Sequence, residues 1–366
     1  MMDMTDNAGD AAGAFDFGIF FFAAVGDEAA DTYRMMLDAS RRADELGFAF
    51  VSTPERHFHR FGGAFPNPAV SSAAVAAVTE NIQIRAGSVV TPLHHPARVV
   101  EDFAMVDSMS GGRAGISIGS GWNVNDFVLA KDAYETRRQR VTDDVQAIRR
   151  AWREGTWTGE NPRGTEVTLD LFPRPVQNDL PIWLTASRSE ATFRQAGRLG
   201  THVLTHLENQ DLGVLRENIR AYREEFEANG VGGTGKVTVM MHTYVAPTTE
   251  EAREVAVPWL KRYLLTALDL ETRAVDAGGS MSGGRTGNPL MASEDGRRRV
   301  AELGINRYLA GTSLIGSVDE CTDVATKVRD AGADEIACLV DFVGDRDRLV
   351  AGLDHLNKVR RNVAAA

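Results

Sequence analysis

The stretch "FVSTPERHFHRFGGAFPNP", residues 50–68, begins as an apolar run of β-type residues and breaks into Glu55, Arg56, His57 and His59 before Gly62, Gly63 and two prolines. A lone histidine here would read as a satisfied core imidazole, with Glu55 and Arg56 as a surface pair. Four ionisable groups at one strand end favour a site instead, because active sites are where charged groups are packed together out of water. The choice turns on whether this strand belongs to a repeating pattern, since a parallel barrel keeps its chemistry at the carboxyl ends of its strands.

The repeat is present. From Phe15 onward, short β-type runs alternate with longer segments of helical period. Strands are expected over 16–22, 48–53, 82–90, 113–119, 181–186, 201–206, 236–246 and 335–342. Helices are expected over 29–46, 68–79, 97–109, 136–154, 189–198, 211–229, 249–268 and 318–331. Eight right-handed βα crossovers close into a barrel. The fold class is therefore α/β, a (β/α)8 TIM barrel forming a single domain over 15–366, with a disordered tail at 1–14. Two insertions exceed the repeat: 156–178 carries short β-like alternation, and 276–296 is rich in Gly, Ser and Asn. Long insertions in a βα unit are commonly lids or binding loops.

A barrel of about 250 residues with insertions accommodates the 366 residues of this chain. Apolar content of 43% and charged content of 25% are those of a globular protein. The net charge of −11 argues against nucleic acid or anionic membrane as a main partner, because counterion release requires a basic face. Cys321 and Cys338 lie in aliphatic surroundings and read as reduced thiols of a cytoplasmic protein. The acidic start has no secretory pattern, and no apolar run reaches the roughly 20 residues of a membrane span.

Each strand end offers candidates. After strand three, Gly87 and Ser88 are small where a flat ligand would approach closely, and His94 and His95 stand between prolines as ligands or helix caps. Strand four ends in "GISIGSGWNVNDF", where Val124 takes the place of the third glycine of a dinucleotide fingerprint. What remains is a glycine turn followed by Trp122 and Asn123. The fifth strand ends in Thr185, Ala186, Ser187, Arg188, Ser189 and Thr192, hydroxyls leading into a helix and suited to an anion or to plain capping. His206 closes the sixth strand and Asp341 the eighth. "GVGGTGKV", 230–237, has Val237 where a phosphate-binding loop needs a hydroxyl, so it reads as a turn. His57-x-His59 with His206 and Asp341 faintly resembles a metal hydrolase, but the further ligands are missing and no metal is expected.

Taken in order, "TPERHFHRFGGAFPNP", "IRAGSVVTPLHHPARVVEDFAMVDSMSGGRAGISIGSGWNVNDF", "RPVQNDLPIWLTA", "THVLTHL", "VMMHTYV", "GSVDEC" and "DEIACLVDF" resemble the bacterial-luciferase-like flavin monooxygenases. They are most similar to the subgroup of natural-product biosynthesis. The resemblance spans about residues 15–345. It implies reduced FMN (FMNH2) from a separate flavin reductase, O2 as co-substrate activated as a flavin C4a-(hydro)peroxide, and a small or carrier-protein-tethered biosynthetic intermediate as substrate. A homodimer is implied as well. An F420-dependent oxidoreductase or a non-catalytic flavin binder is the alternative in the same superfamily.

Carried over by motif, the flavin ring lies against Gly87 and Ser88, where the family often has a non-proline cis peptide. Trp122, Asn123, Thr185, Ala186 and His206 border the ring, and Ser187, Thr192 and Arg138 grip the phosphate. His57 is the catalytic residue, oriented by Glu55. Arg56 turns away to support the loop. His59, His95 and Asp341 are candidate substrate contacts. The "TASRSEATF" run departs from the family pattern, so its individual donors stay open.

Overall fold

The computed structural model describes residues 15–22, 29–208, 210–230, 232–279 and 289–366. The expected tail at 1–14 and residues 280–288 of the second insertion lie outside the described residues. The strands are β1 (Asp16–Phe20), β2 (Phe50–Thr53), β3 (Gln83–Val90), β4 (Ala114–Gly119), β5 (Thr156–Glu160), β6 (Glu166–Asp170), β7 (Ile182–Thr185), β8 (His202–His206), β9 (Val237–Val245), β10 (Leu314–Gly316) and β11 (Glu335–Leu339). The helices are α1 (Ala29–Leu46), α2 (Pro68–Ala76), α3 (Pro96–Ser110), α4 (Arg137–Glu154), α5 (Glu190–Leu199), α6 (Leu212–Ala228), α7 (Thr249–Asp276), α8 (Glu294–Arg307), α9 (Val318–Asp330) and α10 (Arg346–Ala365).

Eight parallel strands pair in the cycle β1–β2–β3–β4–β7–β8–β9–β11 and back to β1, which closes the barrel. All eight are the strands expected from the alternation. The first insertion forms the antiparallel hairpin β5–β6. The short β10, not expected, pairs with the outer half of β9. Helix α7 outruns its expected end by eight residues, and α8 and α10 were not anticipated.

The period of two along each strand sorts the core into two layers. Phe17, Ile19, Val51, Ile84, Ile116, Val203 and Val239 face the helices, whereas Phe20, Phe50, Trp183, Leu204 and Leu339 fill the barrel. The amino-terminal end is plugged. Arg85 grips Glu335 through two bonds of 2.6 and 3.0 Å, and Thr238 and Lys236 bond the same carboxylate at 2.6 and 3.0 Å. The Arg85 guanidinium also stacks on Phe50 and Trp183, 3.8 and 4.0 Å from their ring centres. A charge buried this deeply is stable only when paired and bonded. The opposite mouth is the end at which a parallel barrel carries its ligands.

Asn67 in the opening stretch caps α2 by accepting from the N–H groups of Ala69 and Val70, and Pro68 occupies the first helical position. The segment from Pro54 to Pro66 is therefore a loop held between a strand end and a capped helix. No described helix is long and apolar enough to cross a membrane.

Candidate active site at the barrel mouth

The Glu55 side chain is completely buried, and its two oxygens divide their work. Oε1 accepts from Nε2 of His57 at 2.8 Å and from Nε2 of His94 at 2.7 Å, while Oε2 accepts from the Val90 N–H at 2.7 Å. Burial would raise the carboxyl pKa, but the bonds from His57 and His94, the His94 charge and the Val90 N–H outweigh it and hold Glu55 below its ordinary 4.5. His94 shows the converse: burial pulls it down, and the bond to Glu55 with the charges of Glu55 and Asp102 carries it above 6.5. A carboxylate only accepts, so both rings carry their proton on Nε2, which leaves Nδ1 of His57 as the position that gains or loses one. Phe58, between the two histidines of the loop, adopts φ 56° and stands 65% exposed while His57 and His59 turn inward.

His94 is the member that sequence reasoning left between ligand and cap. Its only signal was a position at the end of the neighbouring strand. His95 is the cap: its Nδ1 accepts from the Ala97 N–H at 3.2 Å, and its ring packs on Trp157 of the β5–β6 hairpin. The other candidate metal ligands are spread over separate duties. His59 donates from Nε2 to Asp269 at 3.1 Å, and both Asp341 oxygens lie 3.0 Å from the Phe22 N–H.

Arg56 corrects an expectation. It packs into the mouth, its guanidinium 4.4 Å from the Phe22 ring centre, 5.6 Å from Phe61 and 6.0 Å from Trp122. Gly62 makes this possible, since a Cβ there would lie 2.6 Å from Arg56 Cγ, and its φ of 73° favours glycine in any case. Near Arg56 lies Asp126, which the sequence did not single out. Burial raises its carboxyl to about 6, against the lowering effect of Arg56, His57 and its 2.7 Å bond from Asn123. Asn123 is thus engaged inside its own turn.

At the end of β3 the cis peptide suggested by the resemblance is not found. The one cis bond among the described residues is Phe172–Pro173, and the register of β3 with β4 shifts between Ala86 and Val89. This irregularity is the kind that re-aims a side chain. Ser88 Oγ lies 2.8 Å from Thr185 Oγ1, joining two predicted ring contacts across the mouth. Gly87 sits over Phe20, where a Cβ would come within 2.7 Å of the ring.

The third corner is the start of α5. Its N-cap Ser189 makes no side-chain capping bond, and Ser187 Oγ is buried with no partner among the described residues. Unsatisfied amides at a helix start attract anions. Gln195 of α5 bonds Thr142 of α4 at 2.8 Å. Arg138 is exposed in the first turn of α4, one turn before Thr142. Thr192 is half-buried in that same first turn, Ala186 is buried, and His206 accepts the Glu208 N–H at 3.2 Å. An uncapped helix start, an orphaned hydroxyl and a cation fit a phosphate, and the Gly87–Ser88–Thr185 wall fits a flat ring.

The sequence profile of luciferase-like monooxygenases matches residues 15–335. The chain belongs to the luciferase-like monooxygenase family. Among relatives of this luciferase-like chain, the flavin-dependent trigonelline monooxygenase, oxygenase component, of Acinetobacter baylyi is 28% identical over 232 residues, covering 61% of this chain and 62% of that protein, less than two thirds of its length. The 4-hydroxyprotoasukamycin monooxygenase of Streptomyces nodosus subsp. asukaensis is 26% identical over 329 residues, covering 85% of this chain and 81% of that one. Monooxygenase RslO1 from Streptomyces bottropensis superposes with a TM-score of 0.77 at 23% identity, covering 94% and 98% of the two chains. The oxygenating constituent of 3,6-diketocamphane monooxygenase from Pseudomonas putida, solved with FMN, gives 0.73 at 18%, covering 96% and 98%. An F420-dependent secondary alcohol dehydrogenase gives 0.69 at 16%, covering 96% and 99%. At such identities the structural likeness establishes the luciferase-like barrel alone.

Proposed function

We propose that this chain is the oxygenase component of a two-component monooxygenase, which takes reduced FMN from a separate flavin reductase, uses O2, and oxygenates a small or carrier-tethered biosynthetic intermediate. The observation that carries this reading is the pairing of an anion-binding corner at α5 with a carboxylate-anchored histidine on another wall of the same mouth. The named relatives that are flavin-dependent monooxygenases or oxygenase components support it.

Reduced FMN supplies two electrons, so that one oxygen atom enters the substrate and the other leaves as water. Ser187, Thr192 and Arg138 hold the phosphate. Gly87, Ser88, Thr185, Ala186, Trp122, Asn123 and His206 border the ring. His57 donates or receives a proton at Nδ1, and Glu55, itself pinned by Val90 and His94, keeps that ring in one orientation. The aromatic set around Arg56 keeps water from the reacting centre. His59, His95 and Asp341 are kept as candidate substrate contacts: His59 bonds Asp269 through Nε2 and the Phe61 N–H through Nδ1, His95 bonds the Ala97 N–H through Nδ1, and Asp341 bonds the Phe22 N–H. The exposed Val70 of α2 and Met105 and Met109 of α3 form the face of a homodimer.

The test is an anaerobic titration with reduced FMN and, separately, reduced F420, followed by admission of air. Saturable binding of FMNH2 and reoxidation slower than that of the free flavin are expected. Binding of F420 with none of FMN overturns the proposal and favours hydride transfer.

A further inference from the structure

His242 lies in the outer half of β9, level with Leu339 of β11, one of the residues that fill the barrel. It is 2% exposed, and its Nε2 has no hydrogen-bond partner among the described residues. Buried polar atoms are almost always satisfied, so an orphan at the mouth of a site points to a missing partner. Three rings enclose it: Tyr263 and Tyr308, each 4.6 Å away between ring centres, and Phe342 at 5.5 Å. Tyr263 in turn packs at 5.0 Å on Phe61, one of the rings beneath Arg56, so the orphan nitrogen and the proposed reaction centre share one aromatic wall. Tyr308 also lines a cavity of about 220 Å³ between α7 and α8, with Leu264, Leu268 and Glu271. It opens the short π-helical turn 308–312, a distortion common at functional sites.

We infer that His242 is a substrate-binding residue, and that the substrate is a planar phenol or enol whose hydroxyl bonds to Nε2 of His242 within the Tyr263–Tyr308–Phe342 cage. The ring walls select a flat conjugated framework. The hydroxyl is the group that satisfies this nitrogen in either tautomer, since it both donates and accepts, whereas a ketone or an ether only accepts. Burial lowers the imidazole pKa to about 4, partly countered by Glu208, so the ring meets the substrate neutral. The inference rests on the proposed oxygenase reading and adds the class of molecule that this site receives.

The probe pair is 2-naphthol and 2-methylnaphthalene, which differ only by hydroxyl against methyl. Their binding to the chain, loaded with FMN and without it, is followed by fluorescence, and FMN affinity is measured separately. The wild type is expected to favour 2-naphthol by tenfold or more, because a polar site rejects an analogue that leaves it unpaired. His242→Phe, which preserves the cage, is expected to bind both equally with FMN affinity unchanged, and His242→Gln to restore part of the preference. No 2-naphthol binding, equal binding of the two by the wild type, or an undiminished preference in His242→Phe overturns the inference. A His242-dependent preference in a chain that binds no FMN instead removes the oxygenase reading and leaves this one standing.

Discussion

The carboxylate of Glu55 and the backbone N–H of Val90 lie 2.7 Å apart, tying the exit of β2 to the last residue of β3 and fixing where two histidines can stand. Removing that carboxylate strands three donors at once. Glu55→Ala is expected to lower stability by about 1–3 kcal/mol, the cost of leaving buried groups unsatisfied. It should also abolish oxygenation, while Glu55→Gln keeps most of the stability. Urea unfolding of both variants, with product yield per FMNH2, checks this.

The Glu55–His94 pair sets a pH window. His94 titrates above its ordinary 6.5 in the folded chain, so its contribution is complete below pH 6.5 and is lost as the pH rises through the raised value. Glu55 titrates below 4.5, so its contribution is complete above pH 4.5 and is lost as the pH falls through the lowered value. The pair therefore stabilises most between those limits. The stability gap between wild type and His94→Gln should be wide near about pH 5.5 and narrow near about pH 9, as read from urea midpoints.

His57→Ala is expected to keep FMNH2 binding within about threefold, because in the proposed reading the histidine serves proton transfer and takes no part in holding the phosphate. Product per FMNH2 should fall and H2O2 should rise by the same amount. Full product yield in this variant would remove His57 from the proton-handling role.

Ser187→Ala removes a hydroxyl that has no partner in the protein. Folding stability should be unchanged or slightly raised, and FMN affinity should drop roughly tenfold, one charge-assisted hydrogen bond's worth. Arg138→Gln should also weaken FMN and should reduce the salt dependence of binding, because it removes a charge. Isothermal titration at two salt concentrations separates these outcomes.

Gly87→Ala drives a methyl to within 2.7 Å of the buried Phe20 ring and 3.3 Å of the Thr53 carbonyl. Overpacking of this kind costs about 1–3 kcal/mol. Adding Phe20→Leu should recover much of that stability in thermal unfolding, and a failure to recover it would place the strain in the backbone.

Sequence by itself determined the barrel, because eight strands buried on both faces write nearly continuous apolar runs and the helices between them write a period of 3.6. It also placed Glu55 and His57 at a strand end and a hydroxyl-rich helix start after Thr185, open between an anion site and plain capping; the missing capping bond of Ser189 came from the tertiary structure. Sequence missed β10, three residues without a readable period, as well as α8 and α10. Apart from the Glu55–His57 pair, the partners within the site came only from the tertiary structure. His94 reaches Glu55 across 39 residues, His59 reaches Asp269 across 210, and Asp341 reaches the Phe22 N–H across 319. Arg56 faces the mouth because Gly62 leaves room for its stem and three rings from different strand ends receive its guanidinium. Local periodicity reports which face of an element is buried, whereas barrel closure, through register and crossover, selects which distant side chains share that burial.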